Sequence, residues 1–403
     1  MKALLSATLA LVTLSSAVSA QDSTYATPDT SYVEYHDPPV TLPGVFGLRV
    51  PSYERVNGLT LPWGPHLELG YERVQIDALV TYRSNLGAWD PSLEGIFHPG
   101  EDNEIKAFAG RSTYTNDSWI RPDLVNSAAA FFVGSDSRNY FRGDRAALRY
   151  TRAVAGSAVT LTPFIGASVE NDWSTGSFDP QKSPWSFLGR KDNLKMRRPN
   201  PAIAKGRINS AELGSGAELV SGDLSAKLDV AVEHPFSISL TPECSVLAPD
   251  GSCPGAAESF TQSTIDAHVS FRTFGAQTFS FEGHAVITGS NIAPPQRFAY
   301  LGGSGTLATV NLLALGGDRL LFVEGDYTIP IERIQLRSLG SPYVAVRYAA
   351  GSAGVGELPA LIQNIGVGAG ISFFRVDYSI DPASNRSPLS RRSAFSIGLS
   401  LTP

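Results

Sequence analysis

Long apolar runs are the first feature that this 403-residue sequence lacks. After residue 20, no segment approaches the roughly 18 consecutive apolar residues that a membrane-spanning helix needs. A basic excess is also missing, because the net charge is −6, and nothing in the charge therefore points to a nucleic-acid partner. With 42% hydrophobic, 10% aromatic and 17% charged residues, the composition is not that of a disordered chain. These totals fit a secreted globular protein or an outer-membrane β-barrel.

Cysteine is scarce, and both cysteines lie in one short segment, ECSVLAPDGSC, as Cys244 and Cys253. The Asp-Gly pair between them favours a turn. An oxidising compartment would let the two thiols close a small loop as a disulfide. A metal site made from two cysteines alone is the less favoured reading. We therefore expect a structural disulfide in an exposed loop, and no metal or other cofactor.

The first twenty residues have the pattern of a secretory signal peptide. Lys2 supplies the positive start, LLSATLALVTL the apolar centre, and residues 18–20 a small-residue cleavage site. Residues 21–50 are rich in proline and small polar residues, and they are predicted to form a flexible tail. No later break in composition marks a domain boundary. We therefore expect a single domain over residues 51–403.

Alternation of apolar and polar residues is the strongest pattern in that domain. Every second residue is apolar from Val74 to Arg83, from Val159 to Glu170 and from Leu224 to Glu233. A strand with lipid on one face and polar contents on the other has this pattern. A soluble β-sandwich alternates as well, so the connections between the strands must distinguish the two folds.

The connections alternate between short and long in the middle of the chain. Short turns at 155–157, 221–223 and 275–276 are followed by long segments at 173–205, 237–260 and 290–316. Bacterial outer-membrane barrels have tight periplasmic turns, long outer loops and an even number of strands. We therefore predict an all-β fold, a transmembrane antiparallel β-barrel of about 16 strands in the bacterial outer membrane. The alternative is a secreted soluble β protein.

Sixteen candidate strands support this count. They lie near 55–63, 66–71, 74–84, 91–98, 103–115, 138–153, 158–172, 206–220, 224–236, 261–274, 277–289, 317–331, 343–350, 361–371, 374–381 and 393–402. The second of them is unusually short. The turn near residues 372–373 is placed where the apolar residues change from odd-numbered to even-numbered positions.

A family resemblance appears in residues 298–331, FAYLGGSGTLATVNLLALGGDRLLFVEGDYTIPI. This glycine-rich loop and the strand after it resemble the C-terminal barrel of the BamA/TamA-type bacterial surface antigens. The positions that match in kind are Gly302, Gly303, Leu307, Gly317, Asp318, Asp326, Tyr327 and Pro330. The clear match covers about the last quarter of the chain. It implies an outer-membrane protein that takes part in the assembly or transport of outer-membrane components, with a periplasmic protein as partner.

Three features depart from the family pattern. The family's loop carries an arginine that meets carboxylates on neighbouring strands, but residues 308–310 are Ala-Thr-Val here. Glu324 and Asp326 are therefore expected to lack that partner. Residues 21–50 are too short for a periplasmic repeat domain, and residues 401–403 offer no terminal aromatic residue. A passive alternative stays open, either a narrow pore or a surface barrel plugged by its own loops.

A polar cluster is predicted on the hairpin from Ser263 to Gly289. Its members are Asp266, His268, Ser270, Glu282 and His284. If the turn centres on residue 276, His268 lies opposite His284 and Ser270 opposite Glu282. Such residues can form a hydrolase triad or a metal site, but a polar lumen wall has the same composition. We favour the lumen wall and expect no catalytic residue and no enzymatic activity; an outer-membrane hydrolase is the third alternative.

Two segments of the predicted long loops have their own patterns. The basic run KDNLKMRRPNP, residues 191–201, is either a contact for anionic lipopolysaccharide or a solvated loop, and the solvated loop is favoured. The segment DLVNSAAAFFVG, residues 123–134, is predicted to be a short helix over the mouth of the barrel. Outer-membrane lipids and lipopolysaccharide are thus the expected surroundings.

Overall fold

The chain forms strands where its sequence alternates, and these strands pair antiparallel. The computed structural model describes residues 38–70, 73–175, 185–188, 196–245, 247, 249, 251–255, 259–289, 291–335, 340–372, 374–383 and 388–399. The predicted signal peptide, residues 21–37 of the predicted tail and residues 191–195 of the basic run lie outside this part of the chain.

The strands of the described part fall into one large sheet and one two-stranded sheet. In chain order they are β1 Val40–Thr41, β2 Ser52–Glu54, β3 Gly58–Trp63, β4 His66–Leu69, β5 Val74–Arg83, β6 Ala88–Gly100, β7 Asn103–Tyr114, β8 Phe141–Arg152, β9 Val154–Ala155, β10 Val159–Ser174, β11 Lys205–Ser221, β12 Leu224–Thr241, β13 Thr261–Arg272, β14 Thr278–Gly289, β15 Ala299–Leu301, β16 Leu315–Gly317, β17 Arg319–Pro330, β18 Tyr343–Gly354, β19 Ile362–Ile371, β20 Phe374–Ile380 and β21 Ser393–Leu399.

All sixteen predicted strands are present, and the large sheet is antiparallel throughout its recorded pairings. From β5 to β21 each long strand pairs with the next long strand along the chain. Strands β15 and β16 pair only with each other, in the two-stranded sheet. The long connections follow β7, β10, β12 and β14, all at the same end of the strands, as the alternation of short and long linkers predicted.

The first strands of the sheet are interrupted. Both β3 and β4 pair with β5, so the two predicted strands occupy one position in the sheet. Gly64 and Pro65 separate them: proline has no N–H for the ladder, and a Cβ on Gly64 would lie 1.9 Å from the carbonyl oxygen of Ala78. On the other side β1 pairs with β4 and β2 with β3, so the sheet begins at Val40.

The outward face of the sheet is apolar and exposed. Side chains with more than half of their surface exposed include Leu148, Ile165, Leu213, Val346 and Val367. The inward face instead buries polar residues, among them Asp90, Glu170, Asp172, Ser210 and Thr288. A soluble sandwich hides its apolar face between two sheets, whereas a transmembrane barrel turns that face to lipid. The fold is therefore a transmembrane antiparallel β-barrel.

The helices in the described part of the chain are short. Helix α1, Asp123–Ala128, continues into a π-helical turn, Ala129–Val133, and confirms the predicted helix. Single 3-10 turns occupy Ser118–Ile120 and Pro295–Arg297. Within the described residues, no helix combines the length and the apolarity needed to cross a bilayer.

The main apolar core lies inside the sheet and not outside it. Leu301, Leu307 and Val310, from the segment between β14 and β17, pack on Leu320 and Phe322 of β17. The sequence pattern placed Glu324 and Asp326 on this inner face. It did not identify Leu320 and Phe322, which lie on the inner face of the first half of β17. These two residues make that half apolar where Leu301, Leu307 and Val310 pack.

Candidate functional site

Two long connections fold into the lumen and contact each other. We define the plug as residues 116–121, which follow β7, and residues 296–310, which follow β14. The side-chain amide of Asn116 donates to the carbonyl oxygens of Gln296 at 2.7 Å and of Phe298 at 3.0 Å. At the other end of the plug, the Arg121 guanidinium donates to Ser304 at its carbonyl oxygen, 2.8 Å, and at its hydroxyl, 2.7 Å.

A buried carboxylate holds the two parts of the plug together. Asp117 is 1% exposed and accepts backbone N–H groups from Asn139 at 2.7 Å and from Tyr300 at 3.1 Å. Burial raises the pKa of Asp117 to about 7, although the two N–H groups and the nearby guanidinium groups of Arg198 and Arg138 oppose the rise. Asp117 therefore links three backbone segments through one side chain.

The Gly-Gly element is required by the path of the backbone. Gly302 and Gly303 have φ angles of 124° and 87°, which favour glycine. A Cβ on Gly302 would lie 2.2 Å from the carbonyl oxygen of Asn311. The turn is closed by the Gly302 N–H, which donates to the Thr306 hydroxyl at 2.9 Å. Leu307, the third loop residue of the motif, is fully buried.

An arginine of the plug is bound by carboxylates of the wall. Arg297 donates to both oxygens of Glu233 on β12, at 2.8 and 2.9 Å, and to Glu170 on β10 at 3.1 Å. Arg145 of β8 completes the network on the second oxygen of Glu170, at 2.9 Å. The side chains of Arg297 and Glu170 are 8% and 3% exposed. Paired and hydrogen-bonded, these buried charges fix the plug against one side of the lumen.

The loop tip contacts the opposite side of the lumen through uncharged groups. Thr309 is fully buried, and its N–H donates to the side-chain oxygen of Asn364 on β19 at 3.0 Å. The Asn364 amide donates back to the Thr309 hydroxyl at 2.8 Å, and that hydroxyl lies 3.1 Å from the hydroxyl of Ser390. Threonine thus occupies, with neutral hydrogen bonds, the tip where the resemblance implies an arginine.

Wall arginines pair with the two carboxylates that were expected to lack the loop arginine. Arg347 of β18 forms an ion pair with Glu324. Arg375 of β20 binds Asp326 at 2.5 Å and Asp377 at 2.7 Å. The wall therefore neutralises these acids without the plug.

The polar hairpin has a different register from the predicted one. Asp266 lies opposite His284, His268 opposite Glu282, and Ser270 opposite Ser280. The predicted pairing of His268 with His284 is wrong because the turn centres on Gly275, whose φ of 59° favours glycine, and not on residue 276. This one-residue difference in the turn moves every pair by two positions.

Each histidine of the hairpin faces a carboxylate on the neighbouring strand. The imidazole Nδ1 of His284 lies 2.6 Å from Asp266, and that of His268 lies 3.6 Å from Glu282. Within the described residues, Ser270 makes no recorded hydrogen bond to a histidine. In the same part of the chain, no three His, Cys, Asp or Glu side chains are arranged to hold a metal ion.

Two cavities that share His284 lie on either side of the plug. One, of about 540 Å³, is lined by the hairpin residues Asp266, His268, Glu282 and His284 and by charged residues of β12, β17, β18 and β20. The other, of about 420 Å³, is lined by the Arg145, Glu170, Glu233 and Arg297 network. His284 lines both cavities, and Trp119 of the plug stacks on its ring.

The two cysteines lie in the long connection between β12 and β13. Cys244 and Cys253 are joined by a disulfide, with their Cα atoms 4.7 Å apart, as predicted.

The plug residues Asp117, Trp119 and Arg297 were not predicted from the sequence, because loop residues follow no period. One signal was available for Arg297, since Glu170 and Glu233 lie on the polar face of their strands.

Neither a protein-family model nor a curated protein matches this sequence. Among solved structures, CdiB from Escherichia coli is similar, with a TM-score of 0.50 and 8% identity over 90% of this chain and 62% of that chain. BamA from Haemophilus ducreyi lacking POTRA domains 1-3 has a TM-score of 0.49 and 10% identity over 86% of this chain and 68% of that chain. This chain thus spans less than two thirds of the E. coli CdiB chain.

The likeness to E. coli CdiB, at 8% identity, concerns the fold. The antiparallel sheet and its exposed apolar face agree with a likeness in fold. The protein therefore has the fold of a transmembrane antiparallel β-barrel, to which E. coli CdiB is similar.

Proposed function

We propose that this protein is an integral barrel of the bacterial outer membrane, of the BamA/TamA surface antigen type, and that it acts in the assembly or secretion of outer-membrane proteins. The observation that carries the proposal is the position of the Gly302–Gly303 loop. The stretch that resembles the family folds into the lumen, and its tip meets β19 through Thr309 and Asn364. We propose outer-membrane lipids, lipopolysaccharide and a periplasmic protein as partners, and no enzymatic activity.

The plugged lumen supports a second candidate function, that of a closed structural barrel without a client. Asp117 fixes one part of the plug through buried hydrogen bonds, and Arg297 fixes the other through buried ion pairs. The plug lies between two cavities of the lumen, of about 540 and 420 Å³. An open, general pore is therefore the least favoured of the passive functions.

Location is tested first. The protein expressed with its own N-terminal segment should fractionate with outer membranes and migrate differently on a gel before and after boiling, because barrels resist unfolding in cold detergent. A protein found in the soluble fraction, with one mobility, would contradict the location and with it the proposed function.

Function is tested in liposomes that contain the purified barrel. An unfolded eight-stranded outer-membrane protein is added as client, and its folding is followed by its own mobility shift. The proposal expects faster folding than in empty liposomes. Equal rates would favour the closed structural barrel.

A crosslink tests whether the plug must move. The hydroxyls of Thr309 and Ser390 are 3.1 Å apart, so the Thr309→Cys/Ser390→Cys variant places two thiols within reach of a disulfide. Oxidation should abolish the acceleration and reduction should restore it. The Thr309→Cys variant alone controls for the substitution, and the wild type with reductant controls for the native disulfide.

A further inference from the structure

A row of polar residues crosses the outer wall at the end of the strands where the long connections lie. Strand register places Arg111 of β7 beside Asp144 of β8, Asp144 beside Asn171 of β10, and Asn171 beside Arg207 of β11. These residues share the lipid-facing side, since exposed residues alternate with covered ones along β10 up to Asn171. Four adjacent strands therefore present one continuous polar row outward.

The row lies directly above the apolar band. Outward residues on β10 run from Val159 to Val169, and the next outward residue is Asn171. Ten residues of strand rise about 33 Å, which is about 25 Å along the membrane normal at the usual tilt. That height equals the apolar band of an outer-membrane barrel. The row is therefore at the level of the lipid headgroups.

The row carries unneutralised positive charge. The Arg111 guanidinium binds the Asp144 carboxylate at 2.7 and 2.9 Å and lies 5.4 Å from the ring centre of Trp173. Arg207 and, one outward position further on, Lys205 are exposed. Among the described residues, neither has a recorded carboxylate partner. In the described part of the chain, two cations are therefore available to an anion beside a fixed arginine and an aromatic ring.

We propose that Lys205, Arg207, Arg111 and Trp173 bind the phosphorylated sugar headgroup of a glycolipid in the outer leaflet. Arginine and lysine are the side chains that recognise phosphate, and an indole at the membrane surface offers an amphipathic ring to a headgroup. Across three strand spacings, the two arginine backbones are about 14 Å apart, so they reach separate anionic groups on one headgroup. The inference rests on the outer-membrane location proposed above.

The test measures lipid binding by the purified full-length barrel in nanodiscs of neutral phospholipid. The probes are lipid A with both phosphates, enzymatically dephosphorylated lipid A, phosphatidylglycerol and inorganic phosphate. The wild type should bind lipid A at least about tenfold more tightly than the dephosphorylated form. Equal binding of these two, or equally tight binding of phosphatidylglycerol or inorganic phosphate, would overturn the assignment.

Two variants locate the site. Lys205→Ala/Arg207→Ala should weaken lipid A binding by about tenfold or more while the heat-induced mobility shift stays intact. Arg152→Ala removes an exposed arginine that faces outward at the opposite end of β8, and it should leave binding unchanged. An equal loss in both variants would overturn the site. A barrel that fractionates correctly but binds no lipid A refutes this inference alone, whereas a soluble protein refutes the proposed function.

Discussion

The indole ring of Trp119 lies nearly parallel to the imidazole ring of His284, with ring centroids 4.2 Å apart and an interplanar angle of 12°. Asp266, directly opposite on the neighbouring strand β13, contacts Nδ1 of the imidazole at 2.6 Å. Within the described residues, the Nε2 atom of His284 is buried without a hydrogen-bond partner. A plug residue and a wall residue thus form the partition between the two cavities.

Removal of the indole should join the cavities. Trp119→Ala deletes the ring that covers His284, and the plug keeps its Asp117 and Arg297 contacts. We expect discrete single-channel openings in planar bilayers that are far more frequent than those of the wild type. Trp89→Ala is the matched control, because Trp89 lies on β6 with 64% of its surface exposed. A silent Trp119→Ala channel would show that the stack does not close the lumen.

Loss of the plug arginine should destabilise the barrel. Arg297→Ala leaves Glu170 and Glu233 facing each other without their shared cation, which costs about 3–5 kcal/mol for a buried network. The measurement is urea unfolding in detergent, followed by the mobility shift. Arg272→Ala is the control: its side chain is 64% exposed and lies 3.6 Å from Asp223, so the change should be below about 1 kcal/mol.

A second substitution separates charge from packing. In the Arg297→Ala background, Glu233→Gln removes the carboxylate that has lost its cation, whereas Glu170 keeps its ion pair with Arg145, so part of the lost stability should return. If the double variant is less stable than Arg297→Ala, the arginine acts through packing and the electrostatic account fails.

The fold could be predicted from sequence because lipid imposes a two-residue period on every spanning strand. Val159 to Val169 is a clear instance, since each apolar residue of the prediction is an exposed residue of β10. The interrupted first strands were less predictable. Val40–Thr41 is only two residues long and pairs with β4 across an irregular loop, so no period reveals it.

The site was only partly predictable, because its geometry depends on contacts between distant segments. The five hairpin residues were placed on a common polar face, but their pairing depended on which glycine or alanine the turn used. Glu324 and Asp326 were identified by alternation, yet their partners Arg347 and Arg375 come from two later strands. Trp119 and Asp117 lie in a loop whose conformation is set by the lumen around it.

The Gly-Gly element offers a test of the loop itself. Gly302→Ala would place a methyl group 2.2 Å from the Asn311 carbonyl oxygen at a φ of 124°, so the loop cannot keep its path. Backbone strain of this kind costs about 1–3 kcal/mol. We expect limited proteolysis to cleave between residues 296 and 310 faster than in the wild type. Gly95→Ala is the control, since a Cβ there meets no atom within 4 Å.

The closed plug should be favoured by acid. Burial raises the pKa of Asp117 to about 7 in the closed plug, whereas a released plug would expose the carboxyl to water, with a pKa near 4. The closed state therefore holds the proton more tightly, and closure gains stability as the pH falls from about 7 to about 4. Above about pH 7 the closed plug must bury a carboxylate, so Asp117 no longer favours closure. Channel openings should be more frequent at about pH 8 than at about pH 5.

A non-titrating variant isolates this effect. Asp117→Asn keeps one carbonyl oxygen, so it can accept only part of the hydrogen bonding that the N–H groups of Asn139 and Tyr300 offer to the two carboxyl oxygens. The amide does not titrate. Openings of this variant should be more frequent than in the wild type at about pH 5 and should vary little between about pH 5 and about pH 8. Asp102→Asn, at an exposed turn, should retain the wild-type response. If acid instead promotes openings, or if Asp117→Asn keeps the full pH response, another group controls closure and the role assigned to Asp117 is wrong.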